Sequence, residues 1–110
     1  MTYPLTLSEM QIEANRIATE HGWWDDERTV GDIIALIHTE LSEAFEAYRD
    51  HGLDSWGDDG KPEGFFTELA DTMIRIADTA EHYNINLGEL IREKMAYNET
   101  RPYRHGGKRL

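Results

Sequence analysis

Two acidic pairs carry the strongest chemical signal in the chain: Glu40-Leu41-Ser42-Glu43 and Glu68-Leu69-Ala70-Asp71. Each places two carboxylates one helical turn apart, so both can point at one object. Four carboxylates on two neighbouring helices suit a hard, oxygen-preferring cation such as Mg²⁺. A helical wheel makes the four unequal. At ~100° per residue, Glu40 falls inside the apolar arc of its helix, between Ile33 and Ala47. A carboxylate there needs a partner or a metal, or must stay neutral. Glu43 lies at the edge of the arc beside Leu36, and Glu46 points the opposite way. Glu68 and Asp71 lie roughly 60° apart, away from Leu69 and Met73. Arg75 is within i,i+4 reach of Asp71, so this pair taken alone reads as a solvated, salt-bridged face.

A second signal lies downstream. Lys94, Asn98 and Arg101 recur at i, i+4 and i+7, overlapping the face of Leu87, Leu90 and Ile91. Cations on an inward face need an anion, either the carboxylates or a phosphate, which Arg grips bidentately and Lys meets as a point charge. Arg104, His105, Lys108 and Arg109 then form a basic tail on an acidic protein, which would suit a polyphosphate. Of Trp23 and Trp24, one is expected in the core and the other exposed as a base-stacking wall, with Trp56 a weaker candidate. Other chemistries fail on spacing. No histidine has a Glu three positions before it, as a di-iron bundle requires. The histidines are too scattered for zinc. The acidic loop from Asp54 puts Trp56 and Asp59 where an EF-hand needs a ligand and a glycine.

Four helices must position these residues. Thr6-Leu7-Ser8-Glu9 is a capping box opening a helix to about His21, stopped by Gly22. Thr29 caps a second helix to about Asp50, with Val30, Ile33, Ile34, Ile37, Leu41, Ala44, Phe45 and Tyr48 as its apolar arc. The Gly- and Asp-rich stretch 52–62 reads as a loop. A third helix is expected from Pro62 or Glu63 to Tyr83, and a fourth from Leu87 to Thr100, ending before Pro102. No strand pattern is convincing. The expectation is one all-α, four-helix-bundle-like domain over residues 1–110, with 101–110 a basic tail. So small a bundle has a small core, and burying one face against a second copy would remedy that.

Composition narrows the partners. The formal net charge is −11, which disfavours a nucleic-acid polymer as partner. Hydrophobic residues at 39% and charged residues at 30% fit a globular chain. No apolar run is long enough for a membrane span, and no signal peptide is recognisable. Cysteine is absent, which excludes thiolate sites and fits a cytoplasmic setting.

Together these residues resemble the MazG-like, all-α nucleoside triphosphate pyrophosphohydrolases. The resemblance lies in Glu40, Glu43, Glu68 and Asp71, then in Lys94, Asn98 and Arg101. It extends to the string Asn98-Glu99-Thr100-Arg101-Pro102-Tyr103-Arg104-His105-Gly106-Gly107-Lys108 and to His21-Gly22-Trp23-Trp24. It implies a homodimer or homotetramer with sites near subunit contacts. It implies Mg²⁺, with Mn²⁺ as a substitute, held by the four acids. The implied reaction is hydrolysis of a (deoxy)nucleoside triphosphate to monophosphate and pyrophosphate. Lys94 and Arg101 would stabilise the departing pyrophosphate, and Glu43 would act as base. Asn98, Trp23, Trp24, Arg104 and Lys108 complete the expected substrate contacts. One departure is Thr39, where many relatives carry a further acid beside the first glutamate. Alternatives keep the fold with another substrate, such as phosphoribosyl-ATP, dCTP or dUTP, or make the chain a non-catalytic acidic binding module.

Overall fold

The computed structural model describes residues 3–110, so Met1 and Thr2 of the expected domain lie outside the described residues. The chain is mostly helical, with one small two-stranded sheet. Helix α1 spans Leu7–Glu20, and its capping box forms as expected. The Thr6 amide donates to Glu9 Oε1 at 2.9 Å, and the Glu9 amide donates to the Thr6 hydroxyl at 3.2 Å. The helix ends in a Schellman motif. The Trp23 amide reaches Ala18 O at 3.0 Å and the Gly22 amide reaches Thr19 O at 3.1 Å. Gly22 has φ +84°, and a Cβ there would meet Asp25 Oδ2 at 3.1 Å. The glycine therefore sets the tight turn that aims Trp23 and Trp24 back at the helices.

Helix α2, Val30–His51, starts on a second capping box between Thr29 and Asp32 and stops at Gly52. The expected loop then proves to be a hairpin. Strand β1, Ser55–Asp58, pairs antiparallel with β2, Lys61–Gly64. Asp59 and Gly60 both have positive φ, 51° and 81°, which closes the two-residue turn that matches strand twist. Pro62 is tolerated because a two-stranded sheet is all edge. Helix α3 consequently begins at Phe65, not at Pro62 or Glu63, and runs to His82. A second Schellman motif ends it, with Asn84 at φ 58° and the Ile85 amide on Ala80 O at 2.9 Å.

Helix α4 is Leu87–Glu99, and residues 104–107 form a single left-handed turn, with φ of 52°, 49°, 95° and 90°. Gln11 fixes the start of α4. This buried side chain donates to Ile85 O at 2.8 Å and accepts from the Leu87 amide at 3.0 Å. It thereby ties α1 to the α3–α4 turn, and nothing in the apolar periodicity of α1 singles it out.

Helix α3 is central, packing along α2 and along α1, while α4 packs chiefly on α1 and β2 lies against α2 and α3. The core is thin. Its buried apolar residues are Ala14, Ile33, Ala44 and Ala77, and among the described residues no large side chain is fully buried. No helix among the described residues is long and apolar enough to cross a membrane.

Candidate functional site

The α2–α3 contact brings three of the four expected carboxylates together. Glu40, Glu68 and Asp71 each offer an oxygen within 4.8 Å of the others. Glu40 is 9% exposed and Glu68 8%, and Asp71 is half-buried. The pair Glu68 and Asp71 is therefore not the solvated face that its own helix suggested. Asp71 and Glu68 meet Glu40 because α3 turns this side toward α2. Among the described residues, Glu68 Oε2 is the one buried side-chain polar atom without a hydrogen-bond partner. A buried orphan acceptor is costly and calls for a proton or a cation.

Glu43 is exposed and sits beside Glu68 at the mouth of the cluster, outside the close triad. Burial, then the charge of Asp71 and the contact with Glu43, push the Glu68 carboxyl up to about 7. Its place in the first turn of α3, where the helix dipole favours an anion, does not offset this. Burial, then the charge of Glu40, also raises Asp71 above the ordinary carboxylate range.

The acid that titrates late has a measurable consequence. From about 4.5, its ordinary value, to about 7, folded Glu68 keeps a proton that the unfolded chain has released. The contribution of this group to stability thus falls as pH rises through that window, by on the order of 3 kcal/mol. Metal-free protein is expected to unfold at lower denaturant at pH 8 than at pH 5, with Mg²⁺ restoring stability at pH 8. A midpoint independent of both pH and Mg²⁺ would contradict this.

The cations are placed differently from expectation. Lys94 and Asn98 are exposed on a helix with no buried residue, and Arg101, half-buried, lies two residues past the end of that helix at Glu99. The row is therefore not inward-facing, because α4 leans on α1 and leaves most of its surface open. No ion pair joins Lys94 or Arg101 to an acid among the described residues, and the Lys94 ammonium lies 5.0 Å from the Tyr97 ring. Arg104 and Lys108 are exposed on the tail. The cation at the cluster is Arg75, whose Nε donates to Glu40 Oε1 at 2.8 Å. The i,i+4 reading aimed Arg75 at Asp71; its hydrogen-bonded partner is instead across the helix interface. Lys61 on the hairpin pairs with Glu63 at 3.1 Å and also feels Glu68 and Glu43. Its position became meaningful only once residues 55–64 were a hairpin.

Beside the carboxylates, α1, α2, α3 and the Trp turn enclose a cavity of about 380 Å³, lined by Glu40, Asp71, Arg75, Asp78, Trp23 and Trp24, with Ile17, Ile33, Leu36 and Ile74 among its apolar walls. That is the size and mixture of a small-ligand site. Trp24 is half-buried and stacks on His82 with centroids 3.6 Å apart and planes 6° from parallel. Its indole N–H donates to Asp78 Oδ1 at 2.9 Å. Trp23 is exposed, with the Arg28 and Arg75 guanidinium carbons 5.0 and 5.8 Å from its ring. Trp56 lies away from the cavity lining, against His51. Thr39 is exposed, its hydroxyl on Ala35 O at 3.0 Å, so it adds no ligand to the triad.

No protein-family model, curated protein or solved structure matches this chain.

Proposed function

We propose that the chain is a Mg²⁺-dependent nucleotide pyrophosphohydrolase of the MazG-like kind, hydrolysing a (deoxy)nucleoside triphosphate to monophosphate and pyrophosphate. The observation that carries this reading is the triad of Glu40, Glu68 and Asp71, in which buried Glu68 has an oxygen without a partner and Glu40 and Asp71 line a cavity with aromatic walls. The all-oxygen donor set fits a hard divalent cation. Such a cation, when bound, screens a triphosphate and lowers the pKa of a coordinated water.

The chain's own residues have separable tasks. Glu40, Glu68 and Asp71 would hold the cation, and Glu43, exposed beside Glu68, would take a proton from an attacking water. Arg75 balances Glu40 and can turn to an anion entering the cavity, since its guanidinium keeps donors beyond Nε. Lys94, Asn98 and Arg101 would reach a phosphate held by a second copy of the chain, since α4 packs on α1 and leaves Lys94 and Asn98 at the surface, with Arg101 just past its end.

The test is incubation with Mg²⁺ and a panel of NTPs and dNTPs, separating monophosphate plus pyrophosphate from diphosphate plus phosphate. We expect the first pair, and at least about a 100-fold loss of kcat/KM in Glu40→Gln, beyond what losing an outer-shell partner usually costs. Absence of turnover with every nucleotide sinks the reading, and full turnover in Glu40→Gln sinks the site. A nucleotide-binding module without turnover is the second reading. The observation favouring it is Arg75, which already neutralises one ligand. Binding without hydrolysis in the same panel would select it.

A further inference from the structure

We infer that Asp78 selects the base, admitting nucleotides whose base carries an exocyclic amino group (cytosine, adenine, guanine) over uracil and thymine. The inference rests on the nucleotide reading above and adds the identity of the group being recognised.

Position comes first. Asp71, Arg75 and Asp78 follow one another at i, i+4 and i+7 on α3, and all three line the same cavity. At ~1.5 Å per residue, Asp78 sits roughly 10 Å along the helix from the acidic triad. That span suits a nucleoside with its 5′ end at the triad and the far edge of its base at Asp78.

Chemistry comes second. One oxygen of Asp78 is fully engaged: Oδ1 accepts from the Trp24 indole at 2.9 Å and from Asn15 Nδ2 at 3.0 Å. Among the described residues Oδ2 accepts nothing and is not buried. Those two donors fix the carboxylate plane, and the His82 stack holds Trp24 in turn. The two donors next to it in the wall are already committed, the Trp24 N–H to Asp78 and the Thr79 hydroxyl to Arg75 O at 2.8 Å, while Arg28, Arg75 and His21 line other parts of the cavity. The cavity therefore presents a fixed, donor-seeking oxygen at this end. An ionised carboxylate only accepts. An exocyclic amino group supplies N–H bonds to it. Uracil and thymine present N3–H between two carbonyl oxygens, which would meet Oδ2 with repulsion.

The geometry also predicts how to reverse the choice. In Asp78→Asn the amide oxygen can keep the bonds from Trp24 and Asn15, which places the amide NH₂ where Oδ2 was. An acceptor becomes a donor with almost no change in shape, and the preference should turn to uracil and thymine.

The experiment is calorimetric binding of dCMP, dAMP, dGMP, dUMP and dTMP in Mg²⁺ to the full chain and to Asp78→Asn, with triphosphate turnover in parallel. Amino-bearing nucleotides are expected to bind wild type at least about tenfold more tightly, as for one hydrogen bond to a charged group. The order is expected to invert in the variant. Equal affinities in wild type, no binding of any monophosphate, or an unchanged order in a folded variant overturns the inference. The wild-type series decides alone if the variant lacks a cooperative thermal transition. Turnover with no base preference removes this inference and leaves the hydrolase reading. Base-selective binding without turnover does the opposite.

Discussion

Glu68→Gln is expected to make the metal-free protein more stable while removing its Mg²⁺ binding and turnover. The two effects share one cause. Glu68 is buried at the meeting of α2 and α3, faces Asp71, Glu43 and Glu40, and has an oxygen with no partner. Its carboxyl is held up to about 7 by burial first and by those neighbours second. At pH 8 the group is mostly ionised against that resistance, and a neutral amide of the same shape removes both the repulsion and the desolvation of a charge. The gain should approach the pH-linked cost, on the order of 3 kcal/mol, at pH 8, should shrink to below roughly 1 kcal/mol at pH 5, and should vanish only below about 4.5, where the unfolded chain keeps the proton too. Metal affinity moves the other way, because an amide is a poor replacement for an anionic ligand in an oxygen site. Denaturant midpoints at pH 5 and 8, each with and without Mg²⁺, read stability and binding together. A variant less stable than wild type at pH 8 without metal would mean that Glu68 has a structural partner instead. A variant that still gains stability from Mg²⁺ as wild type does would remove Glu68 from the cation site.

Glu40 and Glu68 illustrate what a sequence can disclose about such a site. Glu40 sits inside an unbroken apolar arc, so one helix was enough to mark it as unusual, and it is buried. Glu68 could be recognised only by knowing which way α3 turns toward α2, which is a tertiary fact. The same limit applies to Lys94, Asn98 and Arg101. Their spacing predicts one helix face, but α4 ends before Arg101, and whether the side carrying Lys94 and Asn98 meets the rest of the chain depends on how α4 docks, and it docks on α1. Local chemistry was legible wherever a short motif settles the backbone. The Thr6 capping box, the Thr29 cap and the Gly22 stop form at the expected positions. The hairpin had a local signal too, since Asp59-Gly60 is a turn pair of the right kind. Its strands, Ser-Trp-Gly-Asp and Lys-Pro-Glu-Gly, lack the β-branched alternation that would have marked them. What holds them is contact with α2 and α3. Gln11 is the same case in reverse, a polar residue on a helix that is buried because a turn far along the chain needs its amide.

Phe45→Glu is expected to split a wild-type dimer or tetramer into monomers and to abolish turnover with it. The apolar arc of α2 is wider than one copy of the chain can cover. At ~100° per residue, Ile33, Glu40 and Ala44 occupy one flank of that arc and are buried against α3. Val30, Ile34, Leu41, Phe45 and Tyr48 fall within roughly 60° of one another on the other flank, and all five are exposed, Phe45 by 62%. A stripe of large side chains over about five turns is more than scattered surface apolarity, and the interior beneath it contains mostly alanine. Each such side chain contributes about 1.5–3 kcal/mol when fully covered, so a second copy on this stripe could supply much of the stability of so thin a core. The thermal midpoint of wild type should therefore rise with protein concentration. A charge at Phe45 lies mid-stripe, on the flank away from Glu40, and even with Arg49 beside it as an i,i+4 partner it must be desolvated in an apolar contact. On the proposal that Lys94 and Arg101 serve the site of the other copy, turnover is expected to fall with assembly. Sedimentation and turnover measured on the same samples separate the possibilities. A monomeric wild type with full activity would show that one copy completes the site. An assembled but inactive Phe45→Glu would place the stripe elsewhere than at the interface.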